Sequence, residues 1–214
     1  MESSMLRHFI LASGSPRRRE MLEWLGFPFK IKTFPIDEIS SHDHPGDKAV
    51  DIAEKKCLAL KDWLHSEKVE HALVLAADTI VSKEGQCFGK PSNEEEARKT
   101  LSFLSGKTHA VYTGVALGFW EKGPGFTKIK KFYEETKVEF YPIAEDLMDQ
   151  YIKSGEYKDK AGGYGIQGQA LTFIKGIIGS YSNVVGLPLS EVVQEIKISL
   201  SKEFEGQGLK DFFS

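Results

Sequence analysis

The stretch FILASGSPRRRE, at positions 9–20, decides how the start of the chain folds. Residues 9–12 are apolar and predict a short buried strand, and the small residues 13–15 predict a turn. A helix is expected to follow, because Ser15 is a good N-cap and Pro16 suits the first helical position, where its missing N–H is not needed. The sequence therefore predicts a strand–turn–helix unit.

Three consecutive arginines stand in the first turn of this predicted helix, at positions 17–19. A helix N-terminus already carries about half a positive charge, so cations there are unfavourable unless an anion is bound. Backbone N–H groups of the turn, the hydroxyls of Ser13 and Ser15 and the guanidinium groups, including those of Arg17 and Arg18, would together form a phosphate cradle. The alternative is an exposed basic helix start without a ligand.

The composition is that of an ordinary globular protein. A length of 214 residues is enough for one large domain or two small lobes, and the net charge of −3 argues against binding to nucleic acid or to an anionic membrane. Cys57 and Cys87 are too few for a disulfide framework or a structural zinc site. No signal peptide and no membrane-spanning apolar run is recognisable, so we expect a cytoplasmic protein.

One lysine of a predicted helix stands out. Residues 47–65 predict a single long helix, because their apolar side chains form one continuous face at about 100° per residue. Lys56 falls inside this face, whereas Lys48, Lys55 and Lys61 fall outside it. A cation on a buried face needs a partner, unless it lies at the edge of the face and its amine reaches solvent.

An acid interrupts the most apolar segment of the chain. Residues 72–81 predict a central strand that is buried on both faces, and Asp78 lies within it. A carboxylate there is costly unless it is paired, binds a metal or takes part in chemistry. The structural alternative is a buried acid that is satisfied by backbone donors.

The rest of the chain predicts alternating strands and helices. A strand is expected over residues 29–34, and Ser92 with Glu95 forms a capping box for a helix that ends at Gly106. The other predicted elements are a hairpin with strands over 110–120 and 132–141, a helix over 144–153, a strand over 170–174, a turn over 179–188 and a helix over 189–200.

The stretch at 159–168 contains glycines in the spacing G-x-G-x-x-G, which is typical of dinucleotide-binding folds. We reject that interpretation, because a charged stretch precedes the motif and a strand-like segment follows it, where a strand and a helix are required. A loop that closes over a ligand fits better, with Tyr164 available to stack on a base and Gln167 to read its edge.

Several stretches, in order over residues 8–200, together resemble one family, the Maf nucleoside triphosphate pyrophosphatases. The matching stretches are LASGSPRR at 11–18, DE at 37–38, ADT at 77–79, GKP at 89–91, YTGV at 112–115, KAGGYGIQG at 160–168 and NVVGLPL at 183–189.

The resemblance implies a fold and an activity. The expected fold is α/β, a mixed twisted sheet flanked by helices in two lobes around a deep cleft, similar to the inosine triphosphatases. We expect residues 1–200 to form this single domain and residues 201–214 to be a mobile tail. The expected reaction cleaves a nucleoside triphosphate to the monophosphate and pyrophosphate with a divalent metal, Mg²⁺ or Mn²⁺, and a homodimer is possible.

The resemblance also implies residue roles. Asp78 becomes the general base or the acid that organises the metal, and Glu38 becomes its acidic partner, so that both hold the ion. The residues implied in phosphate binding are Ser13, Arg18, Lys56 and Lys90.

Three positions separate two branches of the family. Arg17, Thr79 and Gln167 match the branch that acts on dTTP and UTP, whereas tryptophan, glutamine and glutamate would match the branch that acts on 7-methyl-GTP. The alternatives are the same reaction on purine or modified nucleotides, and a regulatory nucleotide-binding module in cell division.

Overall fold

Strands from the whole length of the chain form one mixed sheet in the computed structural model, which describes residues 8–200. The strands are β1 (His8–Leu11), β2 (Lys30–Ile31), β3 (His71–Lys83), β4 (Gln86–Phe88), β5 (Thr108–Glu121), β6 (Gly125–Phe140) and β7 (Ile174–Ile178). Their order is β2–β1–β3–β5–β6–β7, and β4 pairs with β3 outside this row. β1 is parallel to β2 and β3, and the remaining pairs are antiparallel.

Helices flank this sheet, which confirms the predicted fold class. The helices are α1 (Pro16–Glu23), α2 (Pro45–Leu58), α3 (Lys61–Ser66), α4 (Glu94–Leu104), α5 (Glu145–Ser154), α6 (Tyr181–Val185) and α7 (Leu189–Leu200). The predicted strand–turn–helix unit at the start of the chain, the hairpin of β5 and β6, and the helices α5 and α7 are therefore confirmed. No helix of the described residues is long and apolar enough to cross a membrane.

The first half of β3 is covered on both faces. Leu73 and Leu75 pack with residues of α1 and α7, whereas Val74 and Ala76 pack with residues of α2 and α3. All four side chains are fully buried. Alternate residues of a strand point to opposite faces, so this arrangement explains why the segment is apolar at almost every position. The predicted central strand is confirmed.

The far ends of the long strands form a separate core. Val81, Val111 and Val138 come from β3, β5 and β6 and pack there with residues of α4 and α5. The single two-lobed domain over residues 1–200 stays a prediction. The predicted mobile tail at 201–214 lies outside the described residues.

The helix predicted over residues 47–65 is in fact two helices, α2 and α3, separated by residues 59–60. The N–H of Leu60 donates to the carbonyl of Cys57, only three residues back, so the turn between the two helices is tighter than an α-helical turn. Leu60 and Leu64 are both fully buried in the core that contains Cys57. The break between the two helices therefore accompanies the burial of these leucines. The helical spacing of apolar residues continues across the break, so the sequence pattern does not reveal it.

The strand predicted over residues 170–174 is wrong for most of its length. Gln169–Thr172 form a 3₁₀ turn, and β7 begins only at Ile174. The N–H of Phe173 donates to the carbonyl of Ala170, and both side chains are buried. The turn therefore places two apolar residues in the core that a straight strand would divide between its faces.

Three smaller predictions also differ from the structure. The cap of α4 is Asn93 rather than Ser92, because Oδ1 of Asn93 accepts the N–H of Glu96. The strand predicted over 29–34 is reduced to the two residues of β2. The turn predicted over 179–188 contains the short helix α6, whose cap is a serine hydroxyl.

Candidate active site

A cavity of about 650 Å³ opens beside the end of β1 and the middle of β3. Its walls come from the turn between β1 and α1, residues 33–38, β3, the glycine-rich loop and the end of α6. Every residue that the sequence analysis placed in the site lines this cavity. They are Ser13, Ser15, Arg17, Arg18, Glu38, Lys56, Asp78, Thr79, Lys90 and Gln167.

A lysine joins the two acids. Nζ of Lys56 lies 2.7 Å from Oε1 of Glu38 and 2.7 Å from Oδ1 of Asp78. The three side chains come from the segment before α2, from α2 itself and from β3. The cation on the helix face and the acid in the central strand therefore have charged partners, and the alternatives of a solvent-reaching lysine and an acid bound only by backbone donors do not apply.

Gly114 allows α2 to lie this close to the sheet. It pairs with Asp78 in the register of β3 and β5. A Cβ atom at Gly114 would lie 2.2 Å from backbone atoms of Ala49 and Val50 in α2. Because no side chain fits there, glycine at this position is what lets Lys56 reach Asp78.

The cations around Glu38 keep its carboxyl ionised. Partial burial acts to raise the pKa of Glu38, but the hydrogen bond from Lys56 and the charges of Lys56, Lys90 and Arg18 outweigh burial. The pKa of Glu38 therefore lies below its ordinary value. A carboxylate with a lowered pKa is a weak base, so Glu38 is better suited to holding a cation than to accepting a proton.

Arg18 is a buried cation without an acidic partner among the described residues. Its Nε donates to the carbonyl of Gly186 at 2.6 Å, Nη1 to Oγ of Ser13 at 3.0 Å, and Nη2 to Oγ1 of Thr79 at 3.0 Å. Burial lowers the pKa of Arg18, and the charge of Asp78 offsets this only partly. A buried guanidinium whose hydrogen-bond partners are all neutral is a strong site for an anion.

The other two arginines of α1 have different surroundings. Arg17 lines the cavity and donates to the carbonyl of Asp159. Arg19 lies outside the cavity, where its Nε is 2.8 Å from the carboxylate of Glu23 on the next turn. Two of the three guanidinium groups therefore face the cavity, and the third belongs to an exposed helix pair.

The turn before α1 differs from prediction in one detail. Pro16 stands at the first helical position as expected, but the hydroxyl of Ser15 makes no capping hydrogen bond. The N–H of Ser15 instead donates to Oγ of Ser13 at 3.3 Å. The hydroxyl of Ser15 lines the cavity without being used for the helix cap.

The glycine-rich loop directs its tyrosine into the core. Tyr164 is only 5% exposed, its hydroxyl lies 2.6 Å from Nε2 of His109, and its ring packs edge-on against Phe140. Tyr164 also lines the cavity, but little of its ring is exposed, so its stacking on a base stays a prediction. Gln167 is exposed, lines the cavity and has no hydrogen-bond partner among the described residues, so its amide is available to a ligand.

Lys160 and Phe34 are among the lining residues that sequence reasoning did not place in the site. Nζ of Lys160 donates to the carbonyl of Glu156, and burial together with the charge of Arg17 lowers the pKa of Lys160. Its place at the start of the stretch 160–168 was a usable signal. Phe34 is 37% exposed in the cavity wall, and no pattern in the sequence marked it.

The two acids fit an ion that shares its ligands with a substrate. No group of three or more His, Cys, Asp and Glu side chains suited to a metal occurs within residues 8–200. Mg²⁺ is commonly held by one or two carboxylates and by substrate phosphates, with water completing the shell. Glu38 and Asp78 supply those two carboxylates beside a cavity that is rich in cations.

The comparison with protein families identifies the chain. A family model described as Maf-like protein matches residues 8–198. The chain belongs to the Maf family. Among Maf relatives, a protein of Agathobacter rectalis named dTTP/UTP pyrophosphatase is 43% identical over 200 residues, covering 90% of this chain and 97% of the relative. One of the same name from Bacillus cereus is 46% identical over 193 residues, covering 90% of this chain and 95% of the relative.

Solved structures of similar fold are more distant from this Maf chain. A HAM1 protein from Coxiella burnetii has a TM-score of 0.44 and 17% identity, and covers 90% of this chain and 99% of its own. The Ham1 protein of Staphylococcus aureus has a TM-score of 0.44 and 12% identity, and covers 88% and 100%. These values indicate a remote likeness only.

Proposed function

We propose that this Maf protein is a nucleoside triphosphate pyrophosphatase that hydrolyses dTTP and UTP to the monophosphate and pyrophosphate. The observation that carries the proposal is Arg18, a buried guanidinium without an acidic partner among the described residues, beside the cluster of Lys56, Glu38 and Asp78. A cavity that contains both unpaired cations and paired acids suits a polyanion that is cleaved. The names of the relatives support the same reaction.

The cations and hydroxyls of the cavity bind the phosphates in this proposal. Arg18 and Lys90 contact phosphate oxygens, and the hydroxyls of Ser13 and Ser15 donate to them. Lys56, which forms salt bridges with Glu38 and Asp78, adds positive charge to the same end of the cavity. Phosphoryl transfer depends mainly on such positioning and charge neutralisation.

Asp78 acts as the general base on the attacking water. The water oxygen forms a bond to the α-phosphorus, its proton passes to the carboxylate of Asp78, and the bond between the α-phosphorus and the bridging oxygen breaks. Pyrophosphate leaves with the electron pair of that bond. Mg²⁺ or Mn²⁺, held by Glu38, Asp78 and the substrate, would neutralise charge on the phosphates. Lys56 keeps the two carboxylates in place.

In this proposal, residues in the exposed wall of the cavity select the base of the nucleotide. The free amide of Gln167 offers both a donor and an acceptor to the edge of a pyrimidine, and Arg17 stands in the same cavity. Thr79, the third of the positions that separate the two branches of the family, lies on β3. Modified pyrimidine nucleotides are further candidate substrates in this proposal.

Pyrophosphate release from a panel of canonical and modified nucleoside triphosphates, with Mg²⁺ and with Mn²⁺, tests the proposal. We expect strong turnover of dTTP and UTP and a loss of at least ~10² in turnover for Asp78→Asn, because a general base contributes about that factor. Asp149→Asn is the matched control, since Asp149 pairs with Arg98 outside the cavity. Orthophosphate as the first product would contradict cleavage at the α-phosphorus.

Two other outcomes would point to different functions. Preferential turnover of 7-methyl-GTP would move the chain to the other branch of the family. Nucleotide binding without any turnover, from a folded protein with metal present, would favour a regulatory module in cell division. The two acids argue against such a module, because a protein that only binds a polyanion gains little from Glu38 and Asp78 beside the phosphates.

A further inference from the structure

Two buried tyrosine hydroxyl groups hold the middle of the glycine-rich loop, residues 160–168. The hydroxyl of Tyr151, on α5, lies 3.2 Å from the backbone carbonyl of Gly163. The hydroxyl of Tyr164 lies 2.6 Å from Nε2 of His109, on β5. Both tyrosines and the histidine are buried. Two consecutive residues of the loop are thus bonded to two different elements of the fold.

The groups that hold the loop are uncharged in the folded protein. Burial raises the pKa of Tyr151 and of Tyr164, and it lowers the pKa of His109 to about 4. The carbonyl of Gly163 can only accept, so the hydroxyl of Tyr151 donates to it. A buried polar group that loses its partner is costly, so both hydrogen bonds oppose any movement of the loop away from this position.

The loop is also fixed near its start and just after its end. The N–H of Gly162 donates to the carbonyl of Gly89 at 3.0 Å, and the φ of Gly162 is 68°. A Cβ atom at Gly162 would lie 2.9 Å from Cγ2 of Val81 on β3, so the loop backbone lies directly against the sheet. After the loop, the carboxylate of Glu156 accepts the N–H of Gln169 at 2.9 Å.

The two long polar side chains of the loop stand on either side of this fixed middle. Lys160 comes four residues before Tyr164, Gln167 comes three residues after it, and both line the cavity. Gln167 is exposed and has no hydrogen-bond partner among the described residues, so the loop backbone alone determines where its amide lies. A shift of the loop would therefore move the amide of Gln167 within the cavity.

We propose that Tyr151, Tyr164 and His109 are positioning residues, which hold the glycine-rich loop as a fixed wall of the cavity and so place Gln167 against the base of the nucleotide. This inference rests on the proposed function, in which Gln167 contacts the base. The loop is then formed before the substrate enters and is not a lid that closes over it. A preformed wall spends less of the binding free energy on ordering the chain.

Three variants each remove one of these hydrogen bonds. Tyr151→Phe, Tyr164→Phe and His109→Leu are compared by KM and kcat for dTTP and UTP and by the Kd for pyrophosphate. We expect KM to rise about tenfold, the factor that one lost hydrogen bond commonly costs, while kcat stays within about threefold. The Kd for pyrophosphate should stay within about twofold, because the three residues contact none of the groups that bind the phosphates in the proposed function.

Matched variants separate positioning from a general effect on the core. The hydroxyl of Tyr157, buried in the same core, makes no hydrogen bond to the described residues, so Tyr157→Phe should keep KM within about twofold. Glutamine can place a hydrogen-bonding group near Nε2, so His109→Gln should keep KM within about threefold. Combining Tyr164→Phe with His109→Leu should be no worse than the worse single variant, because both remove the same bond.

The phenylalanine variant of Tyr164 also distinguishes positioning from stacking. Phenylalanine keeps a ring that can stack on a base but lacks the hydroxyl that bonds to His109. A KM for dTTP equal to that of the natural protein in Tyr164→Phe would therefore overturn the positioning role. Losses that multiply when Tyr164→Phe is combined with His109→Leu would overturn it as well.

Hydrogen exchange in the absence of nucleotide separates failure of this inference from failure of the proposed function. The N–H of Gly162 should exchange about tenfold faster in Tyr151→Phe and Tyr164→Phe, while the amides of α2 exchange as before. If the natural protein releases no pyrophosphate from any nucleotide, the proposed function fails, and these exchange rates still decide whether the hydroxyls hold the loop. If the protein is active but KM is unchanged in both variants, the proposed function stands and the positioning role is wrong, whatever the exchange rates.

Discussion

Two neighbouring arginines give a direct test of the phosphate site at the scale of single residues. Arg18 is buried in the cavity wall, whereas Arg19 is exposed and pairs with Glu23. We expect Arg18→Gln to lower kcat/KM for dTTP about 100-fold, as the loss of one donor to developing charge commonly does. Arg19→Gln should stay within about twofold, because an exposed pair contributes little. Equal losses in the two variants would place the phosphates elsewhere.

Gln167 gives a second test at this scale, now of base selection. Gln167→Glu replaces an amide donor with a charged acceptor in the exposed wall of the cavity, so we expect kcat/KM for dTTP and UTP to fall about tenfold relative to other triphosphates. Thermal denaturation should be nearly unchanged, because the side chain is exposed. Gln194→Glu, exposed on α7, is the matched control. Unchanged relative rates would remove Gln167 from base reading.

The sequence was informative about single residues where charge and burial conflict. Lys56 stood out on the helix face and Asp78 in the apolar strand, and the structure places the two 2.7 Å apart. Tyr164 could not be placed in this way, because its burial depends on His109, which lies 55 residues earlier. The exposed wall residue Phe34 broke no local rule and so left no signal.

A glycine controls the distance between two elements, α2 and the sheet. A methyl group at Gly114 would lie 2.2 Å from the backbone of α2, whereas one at Gly176 on β7 would have no neighbour within 4 Å. We expect Gly114→Ala to lower the free energy of unfolding by about 3 kcal/mol, as overpacking does, and Gly176→Ala to change it by less than about 0.5 kcal/mol. Denaturation in urea measures both, and equal stability of the two variants would contradict the packing argument.

Predictions of elements succeeded where a local pattern determines structure. The hairpin of β5 and β6 has two strand-forming segments on either side of a glycine–proline turn, and α5 ends at Gly155, which has a φ of 73°. The break between α2 and α3 and the 3₁₀ turn at Gln169–Thr172 follow from packing against distant strands. A periodic pattern in the sequence does not contain that information.

One buried imidazole makes the stability of the whole molecule depend on pH. Burial lowers the pKa of His109 from 6.5 to about 4, because the neighbouring core cannot solvate a charged ring. The unfolded chain takes up this proton near pH 6.5, whereas the folded protein does so only near pH 4. The free energy of unfolding should therefore fall as the pH drops through this interval, by about 3 kcal/mol in total.

His109→Gln tests this dependence. Glutamine does not titrate, so the variant should lose that part of the decline in stability between pH 6.5 and pH 4. Urea denaturation at several pH values measures the slope for both proteins. The same slope in the variant would assign the acid sensitivity to the carboxylates instead.

At the scale of the whole molecule, the fold class was predictable from the resemblance and from the order of strands and helices. The apolar middle strand had to be central, and the structure covers both of its faces. The predicted homodimer and the cytoplasmic location stay predictions. Both depend on the surroundings of the chain rather than on its own packing.

The segment of the cavity wall that carries Glu38 is held in place mainly by charged side chains. Residues 32–42 form neither helix nor strand, and two neighbouring lysines of α2 bind them. Lys55 donates to the carbonyl of Ile39, and Lys56 forms a salt bridge with Glu38. Ions in solution screen such half-exposed pairs, while the apolar contacts of the sheet are insensitive to them. Rising ionic strength should therefore loosen this wall while the sheet remains folded, so that salt regulates how open the cavity is.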